Sequence, residues 1–351
     1  MDTKPDTTHF SRKKKFFFYC IFYFFLIIIF FISAEVVTRM EGIRPYTMPD
    51  YNTVVEPGGR LYINNTTLGY SHLPGTFKII INHEKVYHRT HLPNTLRITH
   101  PLDTYNPNQH KPEIWMLGDS FTYGWLFAED SETFPWMVQE RLPKYEVVNY
   151  GVSGYGTIQS LIQLKQSLAK GSIPALVTLD YASFQDERNV CSRGWLRGTV
   201  SFNQLGMLYL PYAWLDKNHQ VHYKLIPAVY HNIFPFVTHS ALMNLLQIYY
   251  DKFSDRHNNG HAVTKALILE IAGICKSHKI PFVLVGMTTK PMTLDTLHYC
   301  HEKGIMTADI SIDLNNPENV NSIDHHPNAR GNTLYTNNLV SFLLKNKLVK
   351  D

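Results

Sequence analysis

Three short segments of the sequence contain the residue types that acyl transfer through a serine requires. The first is Gly118-Asp119-Ser120, which follows an apolar run that begins at residue 113. A serine in the turn between a strand and a helix exposes its hydroxyl, and its backbone N–H is free to bind an oxyanion. Taken alone, the segment also suits a tight turn in which Ser or Asp caps a helix.

The second segment, at residues 149–154, reads Asn-Tyr-Gly-Val-Ser-Gly and follows another apolar run at 146–150. A glycine after a strand lets the backbone turn and leaves its N–H accessible to a substrate oxygen. Taken alone, this segment also suits a plain strand-to-helix turn without a function.

The third segment is Asp324-His325-His326-Pro327-Asn328, near the end of the chain. A carboxylate two residues from an imidazole can hold the ring and stabilise its charged form, which is the part that Asp plays in a Ser-His-Asp arrangement. Adjacent histidines are also a possible metal pair. However, no cluster of His, Asp and Glu at helical spacing supports one, so we expect no metal.

From about residue 112 the apolar pattern alternates between strands and helices. It predicts strands at 113–118, 146–150, 175–180, 281–286 and 306–312. It predicts helices at 131–142, 157–169, 240–253, 262–277 and about 330–346, with an irregular stretch from about 190 to 236. This alternation predicts a three-layer α/β/α domain with a mostly parallel, about five-stranded sheet. In such sheets the reactive residues lie at the carboxyl ends of the strands.

In this order, the patterns GDSxxxG, NxGxxG and DxHPN resemble the motifs of the SGNH (GDSL) hydrolase superfamily, over roughly residues 112–346. The resemblance implies an SGNH/flavodoxin-like fold and a serine esterase without a cofactor. Ser120 would be the nucleophile, His326 its general base and Asp324 the residue that orients the imidazole. The backbone N–H groups of Ser120 and Gly154 would form two thirds of the oxyanion hole.

One position departs from the family pattern. The family has Gly-x-Asn-Asp, in which the asparagine side chain donates the last oxyanion hydrogen bond, but residues 182–189 of this chain read Ala-Ser-Phe-Gln-Asp-Glu-Arg-Asn. Gln185 stands where the asparagine is expected, and its amide can donate the same bond from one methylene further out. Asn189 is a less well aligned alternative. Since a misplaced donor costs about 10²–10³ in rate, the departure affects activity more than fold.

The charge and apolar patterns predict a membrane anchor before this domain. Three of the four net positive charges lie in residues 1–15, and residues 16–34 carry no charge. A helix of this length spans about 28 Å, close to the ~30 Å hydrocarbon core of a bilayer. The basic run before it predicts a cytoplasmic N-terminus, with everything after residue 35 exported. A cleaved secretory signal is the alternative.

The composition excludes several other classes of protein. Because the chain beyond residue 34 is nearly neutral, a broad phosphate-binding surface is excluded, and we expect no nucleic-acid partner. A hydrophobic content of 44% excludes a disordered chain, and four cysteines exclude a disulfide scaffold. Cys191, Cys275 and Cys300 allow at most one intrachain disulfide. Cys275 with Cys300 is the first candidate pair, and three buried thiols are the alternative.

The sequence thus predicts a basic cytoplasmic tail (1–15), a transmembrane anchor (16–34), an extracytoplasmic spacer with accessory strands (35–111) and a hydrolase-like domain (112–351). This layout resembles the membrane-anchored extracytoplasmic bacterial branch of the superfamily. It implies a location at the bacterial inner membrane and periplasm, and substrates with ester-linked acyl groups, acetyl first, on an envelope carbohydrate or lipid. O-acyl transfer to exported polysaccharide is one alternative. The other is an inactive domain that binds a glycan or a partner protein.

Overall fold

The computed structural model describes residues 11–47, 52–83, 85–104, 111–125, 129–201 and 204–350. The first ten residues of the predicted basic tail lie outside these ranges. The chain forms two compact units, one from residues 1–48 and 231–253, the other from residues 49–230 and 254–351. The accessory strands predicted before residue 112 therefore belong to the same unit as the predicted hydrolase-like domain.

The described part of the chain contains both helices and strands, numbered in chain order. The helices are α1 (Arg12–Met40), α2 (Ser120–Tyr123), α3 (Phe134–Arg141), α4 (Thr157–Ala169), α5 (Gln185–Asn189), α6 (Arg193–Ser201), α7 (Ala241–Asp255), α8 (Gly260–Ser277), α9 (Pro291–Glu302) and α10 (Ala329–Lys345). The strands are β1 (Thr53–Glu56), β2 (Tyr62–Asn65), β3 (Gly69–His72), β4 (Gly75–Ile81), β5 (Lys85–His91), β6 (Glu113–Leu117), β7 (Glu146–Asn149), β8 (Leu176–Tyr181), β9 (Tyr209–Leu215), β10 (Val221–Pro227), β11 (Phe282–Gly286) and β12 (Met306–Asp309).

A five-stranded sheet forms the centre of the second unit. Its strands lie in the order β7-β6-β8-β11-β12, and every neighbouring pair is parallel. Numbered along the chain, this is the order 2-1-3-4-5 of flavodoxin-like folds, whose binding crevice opens where the first and third strands meet. In this protein that crevice lies at the carboxyl ends of β6 and β8. The predicted fold class is confirmed.

Helices cover both faces of this sheet. Along β6, Trp115 and Leu117 join the apolar cluster that includes α4, α8 and α9, whereas Ile114 and Met116 join the cluster of α3 and α10. All four side chains are at most 1% exposed. Because successive side chains of a strand point to opposite faces, a continuous apolar run is what a sheet buried on both sides requires.

The antiparallel strands before residue 112 add a smaller core to the same unit. β1, β4 and β5 form one sheet, and β2 pairs with β3. Leu61, Phe77 and two isoleucines of β4 form their core. Trp125 and Ile323 pack against this core. These two residues flank the serine and histidine segments, so the accessory strands support the loops that carry the predicted site.

Besides the short helices α2 and α5, two regions contain elements that were not predicted from the sequence. The stretch predicted to be irregular contains α6 and the antiparallel hairpin of β9 and β10. β9 holds a proline, and most side chains of β10 are exposed, so neither strand carries a clear apolar alternation. Helix α9 was also not predicted, because its sequence is mostly polar.

The three cysteines beyond the first helix are free thiols. Cys275 and Cys300 are fully buried and do not form the disulfide that was the first candidate pair. Burial raises the pKa of Cys191, Cys275 and Cys300 to about 12, so the thiols stay protonated at neutral pH. The structure therefore agrees with the alternative expectation, in which all three cysteines are buried thiols.

The first unit is built on α1, which is long and apolar enough to cross a membrane. Its apolar side chains from Phe16 to Ile32 are exposed. This run contains neither Pro nor Gly, so the helix satisfies its own backbone hydrogen bonds, as a lipid environment requires. Length and composition suit a membrane span and a signal sequence alike.

Glu35, directly after the uncharged run, joins α1 to the N-terminus of α7. Its carboxylate accepts hydrogen bonds from the Ser240 hydroxyl at 2.6 Å and from the N–H groups of Ala241 and Leu242, each at 2.9 Å. Arg39 donates to the same carboxylate at 2.7 Å and to the His239 carbonyl at 3.1 Å. A carboxylate at this place satisfies helix N–H groups and complements the helix dipole.

We predict that Glu35→Ala loosens the start of α7. Loss of such a cap costs about 1–2 kcal/mol, because it leaves three donors without their acceptor. In the full-length protein, hydrogen exchange over residues 240–246 should therefore be about 5–30-fold faster than in the wild type. Glu35→Gln, which keeps an acceptor oxygen, should fall between the two. Exchange over α8 is the internal control, and equal rates at 240–246 in all three proteins would contradict the prediction.

Candidate active site

Ser120 lies at the carboxyl end of β6, as the first residue of the short helix α2. The carboxylate of Asp119 caps this helix by accepting the N–H of Phe121 at 2.9 Å. Gly118 allows the tight approach of the turn, since a Cβ there would lie 2.0 Å from the Thr122 hydroxyl oxygen. As the first residue of a helix, Ser120 has a backbone N–H without an intrahelical acceptor.

The structure brings Ser120 together with His326 and Asp324. His326 Nε2 lies 2.9 Å from Ser120 Oγ, and His326 Nδ1 lies 3.0 Å from Asp324 Oδ2. The Nδ1 contact is close but is not aligned as a hydrogen bond. Burial alone would raise the pKa of Asp324, but the nearby His326 imidazole and the His326 backbone N–H, which donates to Asp324 at 3.1 Å, outweigh burial and hold that pKa below its usual value.

The loop at residues 321–328 orients these two side chains. His325 is exposed and has a left-handed backbone conformation with φ of 58°, which reverses the chain between Asp324 and His326. Asn321 accepts the N–H of Asp324 at 3.0 Å and donates to the His326 carbonyl at 3.1 Å. Asn328 caps α10 by accepting the N–H of Gly331 at 3.0 Å. Within the described ranges, no group of three or more His, Cys, Asp or Glu is arranged to hold a metal ion.

Gly154 lies in the turn after β7, in a left-handed conformation with φ of 82°. A Cβ at this position would lie 2.4 Å from the hydroxyl oxygen of Tyr70, so the site excludes a side chain. Tyr70, on the accessory strand β3, donates its hydroxyl hydrogen to the Ser153 carbonyl at 2.7 Å. Among the described residues, neither the N–H of Gly154 nor that of Ser120 has an acceptor.

Asn149 ties this turn to the serine helix. Its side chain accepts the N–H of Gly151 at 2.9 Å and donates to the Thr122 carbonyl at 3.2 Å. Gly151 packs so closely that a Cβ there would lie 2.4 Å from the backbone nitrogen of Tyr123. The first residue and the first glycine of the NxGxxG pattern therefore hold the two turns together.

Gln185, the first residue of α5, is engaged in hydrogen bonds that leave no donor for a substrate. Its Nε2 donates to Asp119 Oδ2 at 3.0 Å and to the Asp180 carbonyl at 2.9 Å, while its Oε1 accepts from the Thr157 hydroxyl at 3.1 Å. The side chain is 1% exposed. The extra methylene lets the amide reach these partners, so the hydrogen bonds do not support the oxyanion role expected for Gln185.

Asn189 is also engaged in hydrogen bonds inside the protein. Its Oδ1 accepts the N–H of Ile158 at 2.9 Å, and its Nδ2 donates to the Thr264 hydroxyl at 2.7 Å. The residue is fully buried. The alternative amide considered from the sequence therefore also lacks geometry for an oxyanion.

Arg188 is the residue of α5 that the sequence reasoning missed. One terminal nitrogen donates to Asp119 Oδ2 at 3.0 Å and to the Tyr155 carbonyl at 2.9 Å. Its Nε and second terminal nitrogen have no acceptor among the described residues and are not closed off from solvent. The guanidinium lies 4.5 Å from the centre of the Phe184 ring. No signal in the sequence distinguishes this arginine from an ordinary surface residue of a short helix.

Two phenylalanine rings connect Arg188 with His326. The rings of Phe184 and Phe121 meet edge to face at 5.4 Å, and the Phe121 ring lies 5.4 Å from that of His326. The guanidinium and the imidazole therefore lie at the two ends of a row of two aromatic rings. Such edge-to-face pairs are stabilised by more than their buried area alone.

The C-terminus of α2 packs against two buried arginines, Arg89 on β5 and Arg97 in the segment that follows it. Arg97 donates to the Tyr123 carbonyl at 2.9 Å, and Arg89 donates to the Gly124 carbonyl at 3.0 Å. Positive charge at a helix C-terminus complements the helix dipole. His91, whose Nε2 lies 2.9 Å from the Tyr123 hydroxyl, is kept neutral because burial lowers its pKa to about 3.

Asp180, at the end of β8, is a buried carboxyl group beneath the serine turn. It accepts hydrogen bonds from the hydroxyls of Thr122 at 2.8 Å and Thr178 at 3.3 Å. Burial raises the pKa of Asp180 to about 7, although the two hydroxyls oppose this shift. The group therefore changes charge near neutral pH.

The structure is similar to several solved structures. They include a member of the lipolytic protein G-D-S-L family from Veillonella parvula DSM 2008, with 11% identity over 66% of this chain and 98% of that one, and a TM-score of 0.39. They also include AlinE4, an SGNH-hydrolase family esterase, with 18% identity, 68% and 96% coverage and a TM-score of 0.35. A third is the acetyl xylan esterase AlAXEase, with 14% identity, 66% and 99% coverage and a TM-score of 0.35.

These descriptions name an esterase or the family that the sequence motifs resemble. No protein-family model matches the chain, and no curated protein matches it.

We predict that Asp180 makes the folded state less stable as the pH rises. The unfolded carboxyl releases its proton near pH 4, whereas the folded one keeps it until about pH 7. In this window unfolding releases a proton, so the free energy of unfolding falls with rising pH. Asp180→Asn removes this contribution.

The change in melting temperature from wild type to Asp180→Asn should therefore be more favourable at pH 7.5 than at pH 4.5. The exposed Asp103 provides the matched control, and Asp103→Asn should show no such trend. The same change in melting temperature at both pH values for Asp180→Asn would contradict the assignment.

Proposed function

We propose that the chain is a serine ester hydrolase of the SGNH type. The observation that carries this proposal is the contact of Ser120 Oγ with His326 Nε2 at 2.9 Å, with Asp324 behind the imidazole at 3.0 Å. The N–H groups of Ser120 and Gly154 lack acceptors among the described residues, which is what an oxyanion site requires. A nucleophile, an oriented base and donors for developing charge are the parts that acyl transfer needs.

In this proposal His326 Nε2 takes the proton of Ser120 Oγ as the oxygen attacks the ester carbonyl. The carbonyl oxygen becomes negative and is held by the N–H groups of Ser120 and Gly154. The charge of Asp324 stabilises the imidazolium that forms. His326 then gives its proton to the leaving alcohol, and an acyl-serine remains. A water molecule, deprotonated by the same imidazole, releases the carboxylic acid and restores Ser120.

We propose Arg188, in place of Gln185, as the third oxyanion donor. Both amide hydrogens of Gln185 are already donated to protein acceptors, whereas Arg188 retains N–H groups that reach solvent. The guanidinium donates to the carbonyl of Tyr155, which is the residue that follows Gly154 in the chain. A cationic donor would stabilise an oxyanion more strongly than a neutral amide does.

We propose that residues 16–34 anchor the protein in the bacterial inner membrane, with the N-terminus in the cytoplasm. The basic residues before the apolar run support this orientation. The hydrogen bonds of Glu35 to α7 support an uncleaved anchor, because they join the end of α1 to the rest of its unit. From this location we propose ester-linked acyl groups, acetyl first, on an envelope carbohydrate or lipid as the substrates.

The proposed chemistry predicts that a fluorophosphonate probe labels the full-length protein at Ser120. Labelling should disappear in Ser120→Ala and persist in Ser322→Ala, which changes an exposed serine in the histidine loop. Asp324→Asn should lower kcat for p-nitrophenyl acetate by about 10⁴, as loss of the orienting carboxylate does in serine enzymes. Equal labelling of wild type and Ser120→Ala would refute the nucleophile and, with it, the proposed reaction.

If Arg188 is an oxyanion donor, its removal should lower kcat and leave KM unchanged. Arg188→Ala should lower kcat for p-nitrophenyl acetate by about 10²–10³, the usual cost of one oxyanion donor, and added guanidinium should restore part of the rate. Glu187→Ala, on the same short helix, is the control. A wild-type kcat in Arg188→Ala, or an equal loss of kcat in a Gln185→Ala protein of unchanged stability, would return the role to the glutamine.

A further inference from the structure

Helix α7 buries one row of polar side chains and leaves most of its apolar side chains half-buried or exposed. Asn244, Gln247 and Asp251 recur at helical spacing and are at most 7% exposed. The apolar side chains of the helix beyond its first residue are half-buried or exposed: Leu242, Met243, Leu245, Leu246, Ile248, Tyr249, Tyr250 and Phe253. The helix of a water-soluble domain has the opposite arrangement, with its apolar stripe towards the core.

Hydrogen bonds hold the polar side of α7 inward. Gln247 Oε1 accepts the N–H groups of Ile233 at 2.7 Å and Phe234 at 3.1 Å. Gln247 Nε2 donates to Asp251 at 2.9 Å, and Asn244 donates to the Arg44 carbonyl at 2.7 Å. A rotation that turned the apolar side inward would break these bonds and leave backbone groups without partners, so the orientation of the helix is fixed.

The exposed apolar side chains of this segment are large. Phe236 is 71% exposed, Tyr249 62%, Phe253 57% and Ile233 51%. Between residues 231 and 253 the only Asp, Glu, Lys or Arg residues are Asp251, which is buried, and Lys252. A large apolar surface with almost no charge marks a site of contact with another apolar phase or partner.

The position of residues 231–253 next to the end of α1 indicates which apolar surroundings the segment contacts. Ser240, Ala241 and Leu242 donate to Glu35, the first residue after the uncharged run of α1. The Val237 carbonyl accepts the N–H of Tyr46 at 2.8 Å. Since the helix rises 1.5 Å per residue, the start of α7 lies within a few ångströms of the level at which α1 leaves the hydrocarbon core. The polar interface of a bilayer is about 5–8 Å thick at this level.

We propose that residues 231–253 form an interfacial segment that lies in the outer surface of the membrane that α1 crosses. The proposal rests on the proposed anchoring of the protein by α1. The exposed aromatic and aliphatic side chains enter the lipid, as Tyr and Phe do in interfacial helices, and the buried polar face stays against the protein. Lys252 can extend its ammonium to the phosphate level while its stem lies along the apolar surface.

Spin labels in the full-length protein in lipid nanodiscs test this proposal. Phe236→Cys, Tyr249→Cys and Phe253→Cys are introduced one at a time into a Cys20→Ala background, whose other cysteines are buried. Each labelled site is compared for its accessibility to oxygen, which concentrates in lipid, and to a water-soluble nickel chelate. We expect all three sites to be several-fold more accessible to oxygen than to nickel. Ile173, which is 58% exposed in the other unit, supplies the matched apolar control.

A further label at Phe24, inside the uncharged run, separates the two proposals. Nickel access at Phe24 would refute the anchor itself. Lipid exposure at Phe24 with nickel access at all three sites of the segment would refute the interfacial segment alone. Protection of these sites from both reagents would indicate a protein partner and overturn the proposal.

Discussion

The second unit is organised around one buried carboxylate, that of Asp119, directly before Ser120. The side chain is 2% exposed and accepts hydrogen bonds from the Phe121 N–H, from the Gln185 amide and from Arg188. A carboxylate removed from water needs such partners, since an unpaired one costs several kcal/mol. Its three donors come from the segments after β6 and β8. Satisfying one charge therefore fixes α5 against the serine helix at the switch point of the sheet.

The hydrogen bonds that the Asp119 carboxylate requires determine which N–H donors remain available to a substrate. The amide of Gln185 serves Asp119 and the Asp180 carbonyl, so it is a structural link between two strand ends. Arg188 supplies the compensating positive charge and still has N–H groups to spare. Asp180 lies in the same region, and the nearby charge of Asp119 adds to burial in raising its pKa to about 7. The charge of Asp119 thus favours the neutral, protonated form of the Asp180 carboxyl group.

Much of this architecture could be predicted from the sequence, because it depends on local patterns. Apolar runs bounded by turns give all five sheet strands, and parallel strands bring the segments of Ser120 and Gly154 to one edge. The role of Gln185 could not be predicted, since its acceptors lie five and sixty-six residues away and are chosen by packing. The sequence pattern of α7 is amphipathic, but a pattern does not say which side faces inward.

In the first unit, the need of polar groups for hydrogen-bond partners also orients α7. Backbone N–H groups at 233 and 234 need an acceptor, and Gln247 provides it only when the polar side of the helix faces inward. The apolar side chains must then face outward, where water would oppose their exposure. An outward apolar face is stable when the surroundings are themselves apolar, as the lipid around the proposed anchor would be. A rule about buried polar groups thus accounts for the engaged glutamine of the site and, at α7, for a helix whose apolar side faces outward.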